Sequence, residues 1–258
     1  MKGSGGLVRS CIVRVALLSD IHANRHALEA CLEHARSRGV DTHVLLGDFV
    51  GYGADAEAVV DIVMQLVAGG AIALKGNHDA AMERIDSYFN DDARRSLELA
   101  RTSLREDQQR FLAVLPLVAA RDSATFVHAS AASPSRWEYV DSPSAALRCS
   151  RAAGTTYTFC GHVHDQQLYF GVGAGRMRAF TPVMGVPIPM RGLRPWLAIV
   201  GSVGQPRDRN PAAAYAIFDD AKREITFFRV AYDHAASAER IRAAGLPEAL
   251  AYRVESGI

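Results

Sequence analysis

The chain has 258 residues, 49% of them apolar and 22% charged, and its 29 Lys+Arg against 28 Asp+Glu give a formal net charge of +1 at pH 7. That is the composition of a globular chain of a size that one hydrophobic core can hold. It excludes the strongly basic footprint of a protein that coats nucleic acid and the acidic tail of a solvating one, so any charge-based function is local.

In chain order, residues 1–10 are rich in Gly and Ser and read as a flexible segment ahead of a single domain spanning 11–258. Residues 12–18 form an apolar run interrupted by Arg14, a strand by its length and its Val and Ile content and too short to cross a membrane. No small-residue cleavage site follows it, so no signal peptide is read. Asn24 is the expected N-cap of a helix whose apolar face carries Ala27, Leu28, Cys31, Leu32 and Ala35 and which stops at Gly39. A strand over 42–46, a helix over 57–67 and a strand over 71–74 complete a β-α-β-α-β start, which implies parallel strands joined by right-handed crossovers.

Residues 92–115 read as two helices broken near Arg105 and stopped before Pro116. Strands follow over 124–128 and 155–160, with a helix over 142–151 between them. Past residue 165 short strands over 167–170, 177–180, 197–200, 213–218 and 224–230 are punctuated by Gly and Pro, which suggests hairpins and a second, more antiparallel sheet. Helices over 233–244 and 247–253 close the chain. The four cysteines, Cys11, Cys31, Cys149 and Cys160, show no C-x-x-C spacing and read as small buried hydrophobes in a reducing, cytoplasmic setting.

Polar residues gather where the strands end. Ser19-Asp20-Ile21-His22, Gly47-Asp48, Gly76-Asn77-His78-Asp79, His128 and Gly161-His162-Val163-His164 each follow an expected strand, and five of the nine histidines lie in these motifs. In open α/β sheets the crevice beyond the carboxyl ends of the strands is where ligands bind, so five segments converge on one place. Carboxylates, imidazoles and a carboxamide, with no thiolate, form a donor set suited to Mn, Fe, Co, Ni or Zn. In Asp20-x-His22 and His162-x-His164, alternate residues of an extended segment point the same way, so each pair can serve one centre or two adjacent ones. Glycines 47, 76 and 161 are expected to let the backbone turn sharply before each ligand.

These motifs, in this order and approximate spacing, resemble the calcineurin-like metallophosphoesterases, and the match covers residues 12–254. Gly47-Asp48-Phe49-Val50-Gly51-Tyr52-Gly53, Val127-His128-Ala129-Ser130, Gly201-Ser202-Val203-Gly204-Gln205-Pro206-Arg207-Asp208 and Ala243-Ala244-Gly245-Leu246-Pro247 are similar to a compact bacterial branch of that superfamily. The resemblance implies a four-layer α-β-β-α sandwich of two facing mixed sheets with a dimetal site at the carboxyl ends of the strands. It implies one divalent ion on Asp20, His22, Asp48 and His164 and a second on Asp48, Asn77, His128 and His162, with Asp48 bridging and manganese the first choice of metal. His78 matches the catalytic histidine that binds no metal, with a structural role as the alternative, and Asp79 matches the acid that orients it.

Two divalent ions, two carboxylates and a bridging hydroxide leave a formal +1, which favours a phosphate oxygen and in-line attack of the hydroxide at phosphorus. His78 can then serve the leaving oxygen. Tyr52 is a candidate to stack on a nucleobase or simply to pack beside the Gly51/Gly53 turn, and Trp137 and Tyr139 are expected to pack in the core or at the rim. Arg207 is a candidate phosphate clamp, or a surface partner of Asp208.

The implied activity is hydrolysis of a phosphomonoester, phosphodiester or phosphoanhydride, with a small nucleotide-type substrate favoured. A phosphoprotein phosphatase, a nuclease and a non-catalytic scaffold stand as alternatives. No membrane partner and no long duplex nucleic acid are expected, and a homo-oligomer is left open. Residues 79–115 and 165–195 are expected to wall the cleft. Residues 176–209 carry six arginines against the single acid Asp208, a net +5 balanced by −4 elsewhere, and some of those arginines are expected to face the cleft or to scatter over hairpin surfaces.

Overall fold

The computed structural model describes residues 14–258; the expected N-terminal segment, the first two residues of the expected first strand and Cys11 lie outside the described residues. The chain opens with β1 (Arg14–Leu18), α1 (Arg25–Ser37), β2 (Thr42–Leu45), α2 (Ala56–Ala68) and β3 (Ile72–Ala73). As expected, β1, β2 and β3 are parallel neighbours. The expected N-cap is also in place, Asn24 accepting a hydrogen bond from the Ala27 amide. There follow α3 (Asn77–Ala80), α4 (Asp91–Ser103), α5 (Glu106–Ala113), β4 (Val118–Arg121), β5 (Ala124–Val127), α6 (Pro143–Ala153) and β6 (Tyr157–Cys160). The rest comprises β7 (Gln166–Gly171), β8 (Met177–Phe180), β9 (Ile188–Pro189), β10 (Trp196–Val200), β11 (Ala213–Asp219), β12 (Glu224–Val230), α7 (His234–Ala243) and α8 (Glu248–Ser256).

Two mixed six-stranded sheets result, one ordered β3-β2-β1-β11-β12-β9 and the other β4-β5-β6-β10-β7-β8. The strands after residue 165 therefore do not build a separate antiparallel sheet; they split between the two. The reason lies in their burial. All seven residues of β11 and all five of β10 are buried, so each must have a neighbour on both edges and cover on both faces. β11 pairs antiparallel with β1 and β12, and β10 runs parallel to β6 and antiparallel to β7.

Side-chain alternation then sets the layers. Val15 and Leu17 of β1 join Phe126, Phe159, Ala198 and Phe218 in a core between the sheets, whereas Ala16 and Leu18 join Leu28, Val59 and Val63 beneath α1 and α2. On the far side α6 covers the second sheet through Ala145, Ala146 and Cys149 against Cys160 and Leu197. This is the α-β-β-α sandwich that the resemblance implied. Because β1, β2, β3, β5 and β6 carry polar loops at their carboxyl ends, the motif residues are delivered to one rim of it. Among the described residues no helix is long and apolar enough to cross a membrane.

Candidate metal centre

The loops that leave the strands are tied to one another by backbone. The amides of Asp20, His22 and Ala23 donate to the carbonyls of Gly47, Asp48 and Phe49 at 3.0, 2.9 and 2.8 Å, and the Gly161 amide donates to the His128 carbonyl at 2.9 Å. Asp20 and Asp48 then reach across segments. Oδ2 of Asp20 accepts from the His162 amide at 2.9 Å, and Oδ1 of Asp48 from the His78 amide at 2.8 Å.

The opposite carboxylate oxygens point at imidazoles. Oδ1 of Asp20 lies 3.2 Å from Nε2 of His164, and Oδ2 of Asp48 lies 3.4 Å from Nε2 of His128 and 3.8 Å from Nε2 of His22. Asp20, His22 and His164 form one donor cluster and Asp48, His128 and His162 a second, while Asp48 also groups with His22 and His78. Asp48 thus stands between the two. Asn77 joins the second cluster, its Oδ1 3.2 Å from Nε2 of His128.

The hydrogen-bond inventory tests whether metal ions fit. Nδ1–H of His22, His128 and His164 donates to the carbonyls of Val50, Leu46 and Gln205 at 3.3, 2.9 and 2.6 Å. That fixes the tautomer and leaves each Nε2 as a lone pair. Nε2 of His22 and Nε2 of His164 nevertheless lie 3.2 Å apart, and Nε2 of His128 lies 3.2 Å from Nδ1 of His162. Two buried lone pairs facing each other, as at His22 and His164, call for a cation between them, and the buried Oδ1 of Asp20 has no hydrogen-bond partner. The donor set fits two divalent ions.

The electrostatics agree. Burial alone would raise Asp20 and Asp48, but the histidines beside them, His164 for Asp20 and His128 for Asp48, hold both carboxyls below the usual range. Burial would lower His128, yet the Asp48 charge lifts it to about 9, so this corner draws a positive charge even from a proton. Burial takes His162 down to about 4 and His22 well below its ordinary value, which keeps both imidazoles neutral and able to ligate.

A match to the calcineurin-like phosphoesterase superfamily domain runs over residues 13–223. The chain belongs to the calcineurin-like phosphoesterase superfamily. A metallophosphoesterase of Sphaerobacter thermophilus is 33% identical and superposes with a TM-score of 0.85, covering 96% of this chain and 100% of that one. An uncharacterized protein of Methanocaldococcus jannaschii is 30% identical, covering 94% of this chain and 98% of its own length. A hypothetical protein of Pyrococcus horikoshii OT3 shares the fold, at 20% identity, a TM-score of 0.79 and coverage of 96% and 99%. As a calcineurin-like phosphoesterase the chain is a metal-dependent enzyme, with its buried His/Asp clusters as the metal-binding feature.

The structure brings Asp20, His22, Asp48, Asn77, His78, His128, His162 and His164 together, all buried. Some expectations need correction. Asp79 does not orient His78: its carboxylate accepts from the amides of Asp48, Phe49 and Gly76 at 2.8, 2.8 and 2.9 Å, so it clamps two ligand loops, while Nδ1 of His78 is buried against Gly51 without a partner. Burial and the Asp48 charge raise Asp79 to about 7 against those amides.

Of the two readings of Tyr52, packing is what the structure has, its ring 4.7 Å from that of His22 and 4.6 Å from that of His78 with the Arg207 guanidinium over it at 5.8 Å, while the side chain also lines the cavity. Arg207 does not pair with Asp208, which takes Arg229 at 2.6 Å; it bonds Oε1 of Gln205 at 3.2 Å. Of the glycines expected to turn, only Gly47 has a left-handed φ, +104°; Gly76 and Gly161 are required because a Cβ there would strike Asp48, or Ser19 and Asp20.

Asp48, Asn77, His78, His162 and His164 open into a cavity of about 530 Å³. Residues 79–115 wall it, as expected, through Tyr88, Phe89, Asn90 and Ala93, but residues 165–195 do not. That segment instead runs along the outer edge strands β8 and β9. Of the six arginines between 176 and 209, Arg207 alone lines the cavity; Arg191, for example, pairs with Glu224, and Arg194 lies over the Trp196 ring. Trp137 and Tyr139 form a rim, the latter ring stacked 4.2 Å from that of His162.

Sequence reasoning missed Tyr88, Arg136 and Arg253, whose segments carry no motif and enter the wall only through the fold. It also missed how residues 202–205 act: the Ser202 hydroxyl holds the Asp20 carbonyl at 2.8 Å, and the Gln205 carbonyl fixes His164. The Gly201–Asp208 motif was a signal for that.

Proposed function

We propose that the chain hydrolyses a small phosphorylated substrate of nucleotide type at a two-ion centre. Asp20, His22, Asp48 and His164 would hold one divalent ion, and Asp48, Asn77, His128 and His162 the other, with manganese the first choice for this N/O donor set. When bound, the ions supply charge stabilisation at phosphorus and lower the pKa of the attacking water. The observation that carries this reading is the buried constellation of carboxylates and imidazoles around Asp48, beside a cavity of about 530 Å³, a volume in the range of small-molecule sites.

The chain's own groups divide the remaining work. Burial lowers His78 to about 4 against the pull of Asp48, so it is neutral at pH 7, and as a cavity-lining imidazole it would hold its one N–H toward the leaving oxygen. Arg207, on the cavity wall, binds a phosphate oxygen. The described cysteines are free and buried, which supports a reducing, cytoplasmic setting.

The test is hydrolysis of p-nitrophenyl phosphate, bis-p-nitrophenyl phosphate and a nucleotide panel with Mn, Fe, Co, Ni and Zn in turn, beside metal content by mass spectrometry. Asp48→Ala should lose both bound ions and turnover. Full turnover in that variant would remove Asp48 from the centre and the mechanism with it.

A further inference from the structure

The cavity wall carries more positive charge than the two-ion reading uses, since that reading gives Arg207 one phosphate oxygen and Arg253 no role. Arg207 follows β10 and Arg253 lies in α8; both line the cavity and both are half-buried. Both share that cavity with Tyr52, over whose ring the Arg207 guanidinium lies at 5.8 Å.

Neither meets a carboxylate among the described residues, although acids stand nearby in the chain. Asp208, next to Arg207, is taken by Arg229 at 2.6 and 3.0 Å. Glu255, two residues from Arg253, is taken by Arg242 at 2.8 and 3.0 Å. The other arginine of α7, Arg240, is neutralised by Asp55 at 2.6 Å. Arg229, Arg240 and Arg242 are thus each given an acid, whereas none of the three arginines that line the cavity, Arg136, Arg207 and Arg253, is in an ion pair among the described residues. Unpaired guanidiniums that share one cavity repel unless an anion lies among them, and planar guanidinium forks match phosphate oxygens.

We propose that Arg207 and Arg253 form a second anion subsite, so that the substrate carries a second phosphoryl group joined to the one that is cleaved: a phosphoanhydride of the nucleoside diphosphate type. This rests on the two-ion hydrolase reading, in which the ions take the terminal phosphoryl group. The oxygen of a water molecule bonds to the terminal phosphorus while the bond from that phosphorus to the anhydride oxygen breaks, its electron pair leaving with the inner phosphate. One proton of the water stays on the orthophosphate and the other is released. The charge that appears on the inner phosphate develops beside the two guanidiniums, so the pair stabilises the leaving group as well as the bound substrate.

Two readouts test the proposal on the ion-loaded protein. In the wild type, methylenediphosphonate should bind more tightly than methylphosphonate by calorimetry, and kcat/KM for ADP should exceed that for AMP. In Arg253→Ala each ratio should fall by about tenfold or more, the loss expected of a charged hydrogen-bonding partner. Arg253→Lys, which keeps the charge without the fork, should lie between them. Near-UV circular dichroism and metal content matching the wild type certify the fold of each variant. Ratios that Arg253→Ala leaves intact would mean that the ions alone prefer the diphosphonate, and they overturn the subsite. So does a wild type without preference for the doubly phosphorylated ligands. If no phosphate ester or anhydride is hydrolysed, the hydrolase reading fails, and the diphosphonate affinity ratio still decides the subsite.

Discussion

Asp20, His22, Asp48, His162 and His164 all have positive φ, between 49° and 73°, in the left-handed region that L residues avoid. Each such residue costs about 1 kcal/mol or more, and the cost is borne because it turns a side chain from the strand end toward the centre. Glycine serves the opposite need at position 76, where the backbone comes so close to Asp48 that a Cβ would meet its carboxylate and its amide. Gly76→Ala should therefore destabilise the protein by about 1–3 kcal/mol in urea unfolding, and should lower metal content through the displaced Asp48. Unchanged stability and metal content would show that the approach is looser than it looks. Asp79 gives the companion case. Its two oxygens accept three amides from two loops, whereas an asparagine has one acceptor oxygen and would set an NH₂ group against an N–H. Asp79→Asn should cost about 1–3 kcal/mol, measured by urea unfolding. If Asp79 served mainly to orient His78, stability would hardly move and only turnover would suffer. The motifs made the His/Asp clusters legible in the sequence because each residue lies within a few positions of a strand end. The clamp role of Asp79 was not legible, since its partners Asp48 and Phe49 stand some thirty positions away.

Between α2 and α5 a polar seam joins elements that apolar contact alone would leave free to slide. Gln108, fully buried, donates through Nε2 to the Glu57 carbonyl at 2.9 Å and to Oδ1 of Asp61 at 2.8 Å, and its Oε1 accepts from the Arg105 amide at 3.1 Å, capping α5. Gln108→Ala should cost about 1–3 kcal/mol by leaving those groups unpaired. The Arg105 guanidinium bridges Glu57 and Asp61 at the surface, so Arg105→Ala should matter less and its effect should shrink with added salt. Urea midpoints at low and high salt separate the two variants. If Gln108→Ala proved as mild and as salt-sensitive as Arg105→Ala, the seam would be surface electrostatics alone. The break near Arg105 was legible in the sequence, as were the apolar strands and amphipathic helices of the first half. The elements that were not are short or exposed: β4 is a mostly exposed edge strand, β9 has two residues, one of them proline, and α3 is a single turn. Continuous apolar runs such as β10 and β11 announced burial on both faces but not the sheet to which each belongs, because that is settled by partners far away in the chain.

Across the molecule, the centre joins loops that follow β1, β2, β3, β5 and β6, so it ties the two sheets together at one rim. Without cations that rim holds two carboxylates, the imidazoles of His22, His128, His162 and His164 crowded against them and left-handed backbone, all buried. Ions that bind the native arrangement and not the unfolded chain stabilise it by mass action, about 4 kcal/mol when free metal is a thousandfold above its dissociation constant. The expected outcome is a wild type whose melting temperature in calorimetry falls on treatment with EDTA and recovers on titration with Mn. Asp48→Ala, lacking the carboxylate between the two clusters, should show little metal-dependent shift. The inter-sheet core provides the control: Phe159→Ala, which empties a fully buried site between Phe126 and Phe218, should lose about 3–5 kcal/mol yet keep the metal-dependent shift. A wild type that melts at one temperature with and without metal would mean that hydrogen bonding alone holds the rim together, and the cation-deficient centre would no longer account for its strained loops.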